Sequence, residues 1–174
     1  MLYMAPFDDE ILIEQLNSNG KKELLYKAIE RFDNGFFDGH EILNKLISNN
    51  NLDALLLSSL YSKKDESESM FYKRHILTLE ELAELNHPLG LYVLGVYYDT
   101  GQFVSENKNK AEELFKLSSE LGLPQASFIY GIMLYYGTKN INPNKKEAVR
   151  LLKYAASKGI EDAKVFLDYL EKQD

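Results

Sequence analysis

The three histidines are the side chains of this 174-residue chain best suited to acid–base or metal chemistry. His40 opens the stretch HEILN, which departs from the zinc-protease pattern H-E-x-x-H by having Asn44 in place of the second ligand. One histidine and one glutamate are too few to hold zinc, so we interpret His40 as a surface residue of a helix. His75 and His87 have no carboxylate and hydroxyl at spacings that indicate a catalytic triad.

The other common chemical motifs are also missing from the sequence. The chain has no cysteine, so it has neither a thiolate ligand nor a cysteine nucleophile. The stretch FFDGHE lacks the ladder of ligands of a calcium loop, and no glycine-rich phosphate loop occurs. We interpret the acidic runs DDE and DESES as solvated faces. These observations predict a protein that is not an enzyme and that has no cofactor and no metal.

The composition is that of a folded globular protein, with 45% apolar and 27% charged residues. The first residues, MLYMAPFDDE, have neither the basic region nor the apolar run of a signal peptide. No stretch is long and apolar enough to predict a membrane span. We therefore predict a cytoplasmic protein that does not act at a membrane.

Net charge is −7, and the excess acid lies in the first half of the chain. Residues 1–86 contain 9 basic and 16 acidic side chains, whereas residues 87–174 contain 11 of each. An acidic surface disfavours nucleic acid and favours a basic partner. The alternative is that these charges serve only solubility.

Two stretches of the second half are nearly the same. YVLGVYYDTG begins at Tyr92, and FIYGIMLYYG begins at Phe128. The similarity continues at offsets of 36 or 37 residues, and a period in this range is typical of stacked helix pairs. The aligned pairs include Gly95 with Gly131, Gly101 with Gly137, Ala111 with Ala148 and Gly122 with Gly159.

Each repeat has the residues that begin and end two helices. In the first repeat a helix over about 88–100 ends at Gly101, since glycine adopts positive φ readily past a helix end. Val104 is placed to fill the gap between the helices, and Asn107 is a candidate N-cap of the second helix. That helix ends at Gly122, and Pro124 can occupy the first turn of the next one.

These residues resemble the Sel1-like repeat family, a relative of the tetratricopeptide repeats. The family pattern is A-x-x-x-L-G-x-x-Y-x-x-G, a short loop, and K-A-x-x-W-Y-x-x-A-A-x-x-G. The chain departs from it at Tyr130 and Leu134, which replace the usual leucine and tyrosine, and it has no tryptophan. The resemblance implies an adaptor that binds proteins, commonly bacterial in this family, with the first helix of each pair on the concave side.

We predict an all-α fold, a right-handed α-solenoid of stacked antiparallel helix pairs in one domain. Its parts are N-terminal helices over 1–50, a degenerate repeat over 51–86, repeats over 87–124 and 125–161, and a capping helix over 162–174. No strand is predicted. A further short helix is expected in the stretch FDDEILIEQLNS near the N-terminus.

The concave side of the predicted solenoid is a groove lined by the first helix of each pair. The residues of these helices that face the groove form an apolar and aromatic strip. Such strips usually mark an interaction surface. The alternatives are that these residues are core, or that the chain's own N-terminal helix covers them. The predicted partner-binding residues are Leu56, Leu60, Leu89, Tyr92, Val96, Asp99, Phe128, Ile132, Tyr135, Val165 and Tyr169.

Three functions are compatible with the sequence. The first is a module that binds another protein or a helical or extended peptide in the groove and does no chemistry. The second is an immunity protein that neutralises a basic toxin, with acidic side chains that speed association. The third is an enzyme with a site in the N-terminal half near His40 and His75. The acidic residues predicted to steer a basic partner are Asp8, Asp9, Glu10, Asp33, Asp38 and Glu41.

Overall fold

The computed structural model describes residues 22–172, which form nine helices and no strand. The all-α prediction is confirmed. The expected N-terminal helix and the acidic residues Asp8, Asp9 and Glu10 lie outside the described residues. The helices are α1 (Lys22–Asp33), α2 (Gly39–Ile47), α3 (Leu52–Leu60), α4 (Glu68–Glu84), α5 (Pro88–Thr100), α6 (Lys108–Glu120), α7 (Pro124–Tyr136), α8 (Lys145–Ser157) and α9 (Glu161–Glu171).

The chain divides after Leu85 into two compact units. Helices α1 to α4 belong to the N-terminal unit, and α5 to α9 belong to the C-terminal unit. Over residues 22–172, no helix combines the length and the apolar character that crossing a membrane requires.

The helix ends of the C-terminal unit follow the capping signals of the sequence. Helix α5 has proline in its first turn and ends at Gly101, whose φ of 74° is left-handed. The Asn107 side chain accepts a hydrogen bond from the Lys110 amide at 3.1 Å, and Asn144 accepts one from Glu147 at 3.1 Å. The predicted N-cap Asn107 is therefore confirmed, and Asn144 plays the same part in the second repeat.

Each helix pair of the C-terminal unit meets at a glycine. A Cβ atom on Gly95 would lie 2.9 Å from the Phe115 ring of α6, and one on Gly131 would lie 3.1 Å from Leu152 of α8. Helix α9 packs on α8 and buries Ala163. Its residue at the glycine position is Asp168, which is exposed.

The N-terminal unit is held by buried aromatic and polar contacts. The Phe32 ring of α1 stacks on Tyr61 with centroids 4.2 Å apart. Arg74 of α4 donates hydrogen bonds to the Ser58 and Tyr61 carbonyls and to both carboxylate oxygens of Glu66. Glu66 belongs to the run DESES, so the prediction that this whole run is solvated is wrong.

The prediction that His40 is a surface residue is also wrong. Its ring packs edge-on against Phe32 at 4.8 Å and its Nε2 lies 3.0 Å from the Ser62 carbonyl oxygen, which together bury it. His75 is fully buried, with Nδ1 3.0 Å from the Ser59 hydroxyl. Burial lowers the pKa of His75 to about 4 and lowers the pKa of His40, so both rings are neutral structural groups at pH 7.

Candidate functional site

Five side chains near the C-terminal end of the C-terminal unit form an apolar surface, three of them exposed and two half-buried. We call Tyr135, Tyr136, Val165, Phe166 and Tyr169 the aromatic patch. Tyr136, Val165 and Tyr169 expose 61%, 62% and 49% of their surface. The last turn of α7 supplies the first two of these residues, and the stretch 165–169 of α9 supplies the other three.

The four rings of the aromatic patch form a continuous chain of contacts. Tyr135 lies edge-on to Tyr136 at 5.1 Å and to Phe166 at 5.7 Å. Phe166 lies 6.1 Å from Tyr136 and 6.2 Å from Tyr169. Such tilted and T-shaped pairs favour a fixed arrangement of rings. The patch is therefore a preorganised surface of rings with tyrosine hydroxyls, which suits protein contacts.

A positive charge lies at one edge of the aromatic patch. Lys145 at the start of α8 places its Nζ 5.1 Å from the centre of the Tyr135 ring, within the range of a cation–π interaction. This contact fixes the Tyr135 ring on the side of α8. The five residues of the patch include no carboxylate, histidine or cysteine.

The predicted groove residues of α5 and α7 are half-buried rather than exposed. This group comprises Tyr92, Val96, Asp99, Phe128, Ile132 and Tyr135. The Tyr92 ring centre lies 6.0 Å from that of Phe115, and burial raises the pKa of the Tyr92 hydroxyl. Asp99 is paired with Lys108 at 3.1 Å, so its charge is compensated within the chain. These residues belong partly to the packing of each helix pair.

Three predicted groove residues are core residues. Leu56, Leu60 and Leu89 expose 0%, 1% and 4% of their surface, so the expectation that they face a groove is wrong. Leu56 and Leu60 lie in α3, which is apolar on nearly every side and is buried over most of its length. Helix α5, which carries Leu89, has the same character. A helix that is apolar all round has no separate face to expose.

Sequence analysis missed two residues of the aromatic patch, Tyr136 and Phe166. Two adjacent tyrosines precede Gly137 in the sequence, and both could have been considered as site residues. Only Tyr135 has the helical spacing of the predicted groove residues. Phe166 stands beside Val165 and was outside the spacing used for α9. The structure brings Tyr135, Val165 and Tyr169 together with these two residues.

The acidic residues proposed to steer a partner have different environments. Asp33 and Glu41 are exposed in the N-terminal unit. Asp38 accepts two hydrogen bonds from the Arg31 guanidinium at 2.8 and 2.5 Å, which lowers the pKa of its carboxyl group. Because Arg31 compensates its charge, Asp38 is a poor candidate for attracting a basic protein.

The N-terminal unit offers little to an enzyme hypothesis based on its histidines. An open hollow beside α1 is lined by Glu23, Tyr26, Glu30, Asp33 and other residues of that helix, and by neither His40 nor His75. Within residues 22–172, no group of three or more histidine, cysteine, aspartate or glutamate side chains is placed to hold a metal ion.

Comparison with protein families gives a match over the two repeats. Residues 88–123 and 124–160 match the sequence model of the Sel1 repeat. Comparison with curated proteins gives no significant match.

Two solved structures are similar in fold. A Sel1 repeat protein from Oxalobacter formigenes matches with a TM-score of 0.62 and 21% identity, covering 72% of this chain and 94% of that one. The protective antigen c5321 from uropathogenic Escherichia coli, which displays an SLR fold, matches with a TM-score of 0.66 and 18% identity. That match covers 96% of this chain and 37% of the antigen. Both support an all-α repeat solenoid.

Proposed function

We propose that this chain, whose residues 88–123 and 124–160 match the Sel1 repeat, binds a partner protein through the aromatic patch. Sel1 repeats are generally protein-interaction modules, and the fold is a scaffold rather than a catalyst. The proposal names the surface that does the binding in this chain. We propose further that the protein acts by binding alone, in the cytoplasm.

The observation that carries the proposal is the exposure of the aromatic patch. Tyr136, Val165 and Tyr169 are all about half exposed or more, and they adjoin one another on two helices. Contiguous exposed apolar surface of this kind usually marks a binding site. Tyrosine is among the residues that contribute most to binding at protein interfaces, since it combines a large apolar ring with a hydroxyl group.

The chemistry of the patch indicates the chemistry of its partner. Phe128 and Ile132 are half-buried and extend the apolar surface along α7. A ligand bound at the patch can therefore also contact α7 along its length. An amphipathic helix or an extended segment with apolar side chains fits such a surface. The exposed tyrosine hydroxyls can then hydrogen-bond polar groups at the rim of the contact.

A double substitution tests the proposal. Changing Tyr136 and Tyr169 to serine should weaken the affinity of a purified partner by at least about 100-fold, because each ring contributes on the order of 2 kcal/mol at a binding hot spot. The partner is first obtained by affinity capture from the source cells, and its affinity is measured by calorimetry. The thermal midpoint should stay within about 3 °C, because both side chains are exposed.

The matched control removes exposed apolar side chains from the other unit. Met70 and Leu77 of α4 expose 62% and 55% of their surface, and changing both to serine should leave affinity unchanged. The proposal fails if this control variant loses as much affinity as the patch variant. It also fails if the patch variant binds as tightly as the wild type.

The hypothesis of a basic toxin as partner is a narrower version of this proposal. It rests on the net charge of −7 and on the exposed acids Asp33 and Glu41. Electrostatic steering acts through the association rate and weakens as salt is added. The hypothesis therefore requires an association rate that falls with salt and with neutralisation of these two acids.

A further inference from the structure

Tyr130 replaces a leucine of the repeat and is not part of the aromatic patch. The equivalent residue in the first repeat is Leu94, which is buried, whereas Tyr130 is only partly buried. Tyr130 lies about 200° around α7 from both Phe128 and Ile132, because successive residues turn by about 100°. It therefore lies on the opposite side of α7 from the predicted groove.

Two hollows adjoin Tyr130, one beside α6 and the other between the second helices α6 and α8. One has a volume of about 450 Å³ and is lined by Glu112, Glu113, Lys116 and Asn140 among others. The other has a volume of about 580 Å³ and is lined by residues that include Glu120, Glu147, Arg150 and Tyr154. Tyr130 lines both hollows. We call this whole depression the Tyr130 cleft.

Acidic side chains of the Tyr130 cleft outnumber basic ones. Arg150 pairs with Glu147 through two hydrogen bonds of 2.8 and 2.6 Å. Lys116 lies 3.9 Å from Glu120 at the end of α6. Glu112 and Glu113 form no ion pair with a cation of residues 22–172, so the cleft keeps negative charge after its own pairs are formed.

Glu112 is the most buried carboxylate of the Tyr130 cleft. It exposes only 9% of its surface, and its carboxylate accepts one hydrogen bond, from the Asn140 side-chain amide at 2.9 Å. Burying a carboxylate is costly unless a cation or several donors compensate it. One neutral amide supplies part of this compensation and leaves the charge unpaired.

The Tyr130 hydroxyl is a second polar group without a protein partner in the described part of the chain. Burial, followed by the negative charges of Glu120, Glu147 and Glu112, raises the pKa of this hydroxyl. The electrostatic potential at its oxygen is therefore negative, which favours a nearby cation. The hydroxyl oxygen can accept a hydrogen bond from that cation.

We propose that the Tyr130 cleft binds an arginine side chain of a partner protein, with the guanidinium between the Glu112 carboxylate and the Tyr130 hydroxyl. The planar guanidinium offers several donors in a fixed geometry and can also stack on tyrosine rings. Tyr130 lines the hollow that contains Glu112 and supplies such a ring. This is a second binding surface, on the side of α7 opposite the groove.

The probe for this site is N-acetyl-arginine amide, titrated into the full chain and followed by amide chemical shifts. The expected result is a saturable shift of the Glu112, Tyr130 and Asn140 signals with a dissociation constant of about 1–10 mM, as befits a single side chain. The neutral citrulline analogue has the same shape without the charge. It should bind at least about 10-fold more weakly.

Two variants separate binding from folding. Glu112→Gln should lower the affinity for the probe at least about 5-fold. The thermal midpoint should stay the same or rise, because the substitution removes an unpaired buried charge. Tyr130→Phe removes only the hydroxyl group and should lower the affinity for the probe about 2- to 5-fold. Glu81→Gln makes the same charge change at an exposed position of α4 and should bind like the wild type.

The inference is overturned if the shifts do not saturate, if they map outside the cleft, or if the citrulline analogue binds equally well. It is also overturned if both variants bind like the wild type. If Glu112→Gln does not fold, Tyr130→Phe and the citrulline comparison still decide the question. Because the probe requires no partner protein, failure here leaves the role of the aromatic patch untouched.

Discussion

Replacing Gly95 with valine should lower the free energy of unfolding of the C-terminal unit by about 3 kcal/mol. A Cβ atom at this position would lie 2.9 Å from the Phe115 ring and 3.4 Å from Leu114, both on helix α6. Phe115 is fully buried, so its ring has little room to move. The added side chain forces the two helices apart and opens voids around them. Denaturant unfolding followed by circular dichroism measures the loss.

The repeat supplies two matched positions for comparison. Gly131 is the equivalent residue of α7, where a Cβ atom would lie 3.1 Å from Leu152, so Gly131→Val should cost about 2 kcal/mol. Asp168 occupies the same position in α9 and is exposed, so Asp168→Val should change stability by less than about 0.5 kcal/mol. Equal losses at Gly95 and Asp168 would refute the view that the glycines allow close helix packing.

Acidification should destabilise the N-terminal unit through His75. Burial holds the pKa of this ring at about 4, against an ordinary value of 6.5. Between these values the unfolded chain binds a proton that the folded chain does not, so stability falls as pH falls. The loss amounts to about 3 kcal/mol between pH 6.5 and 4, of which about 2 kcal/mol is lost by pH 5. His40 acts in the same direction, since burial also lowers its pKa.

The pH range distinguishes this effect from that of carboxylates. Glu66 has a lowered pKa because Arg74 donates hydrogen bonds to it, so its contribution is lost only as pH falls below its ordinary value of 4.5. Denaturant unfolding at pH 7, 6 and 5 therefore reports mainly on the histidines. His75→Gln should remove most of the pH dependence in this range. An unchanged slope in that variant would show that His75 is not the source.

The repeated glycines made much of the C-terminal unit predictable. Their offsets of 36 or 37 residues locate the pairs α5–α6 and α7–α8, and the asparagine caps fix where the second helices begin. These signals are local, because a helix end depends on the few residues around it. Local signals of this kind can be read from one sequence.

The exposed faces were harder to predict because they depend on the packing of whole helices. Helices α3 and α5 are apolar around most of their circumference, so the sequence does not reveal which side meets solvent. Leu56, Leu60 and Leu89 were misplaced for this reason. His40 was misplaced because its partner, the Ser62 carbonyl, is 22 residues away in the chain. Tyr130 was noticed as a departure from the repeat, but its acidic surroundings come from α6 and α8.

We propose that a partner protein contacts the aromatic patch, and site-specific photo-crosslinking tests this contact most directly. A benzophenone side chain is placed at Tyr136, at Tyr169 or at Tyr26, the last being a control in α1 with 48% exposure, close to the 49% of Tyr169. The account predicts strong crosslinks to the partner from positions 136 and 169 and none from position 26. A partner that crosslinks equally from position 26, or not at all from positions 136 and 169, would contradict it.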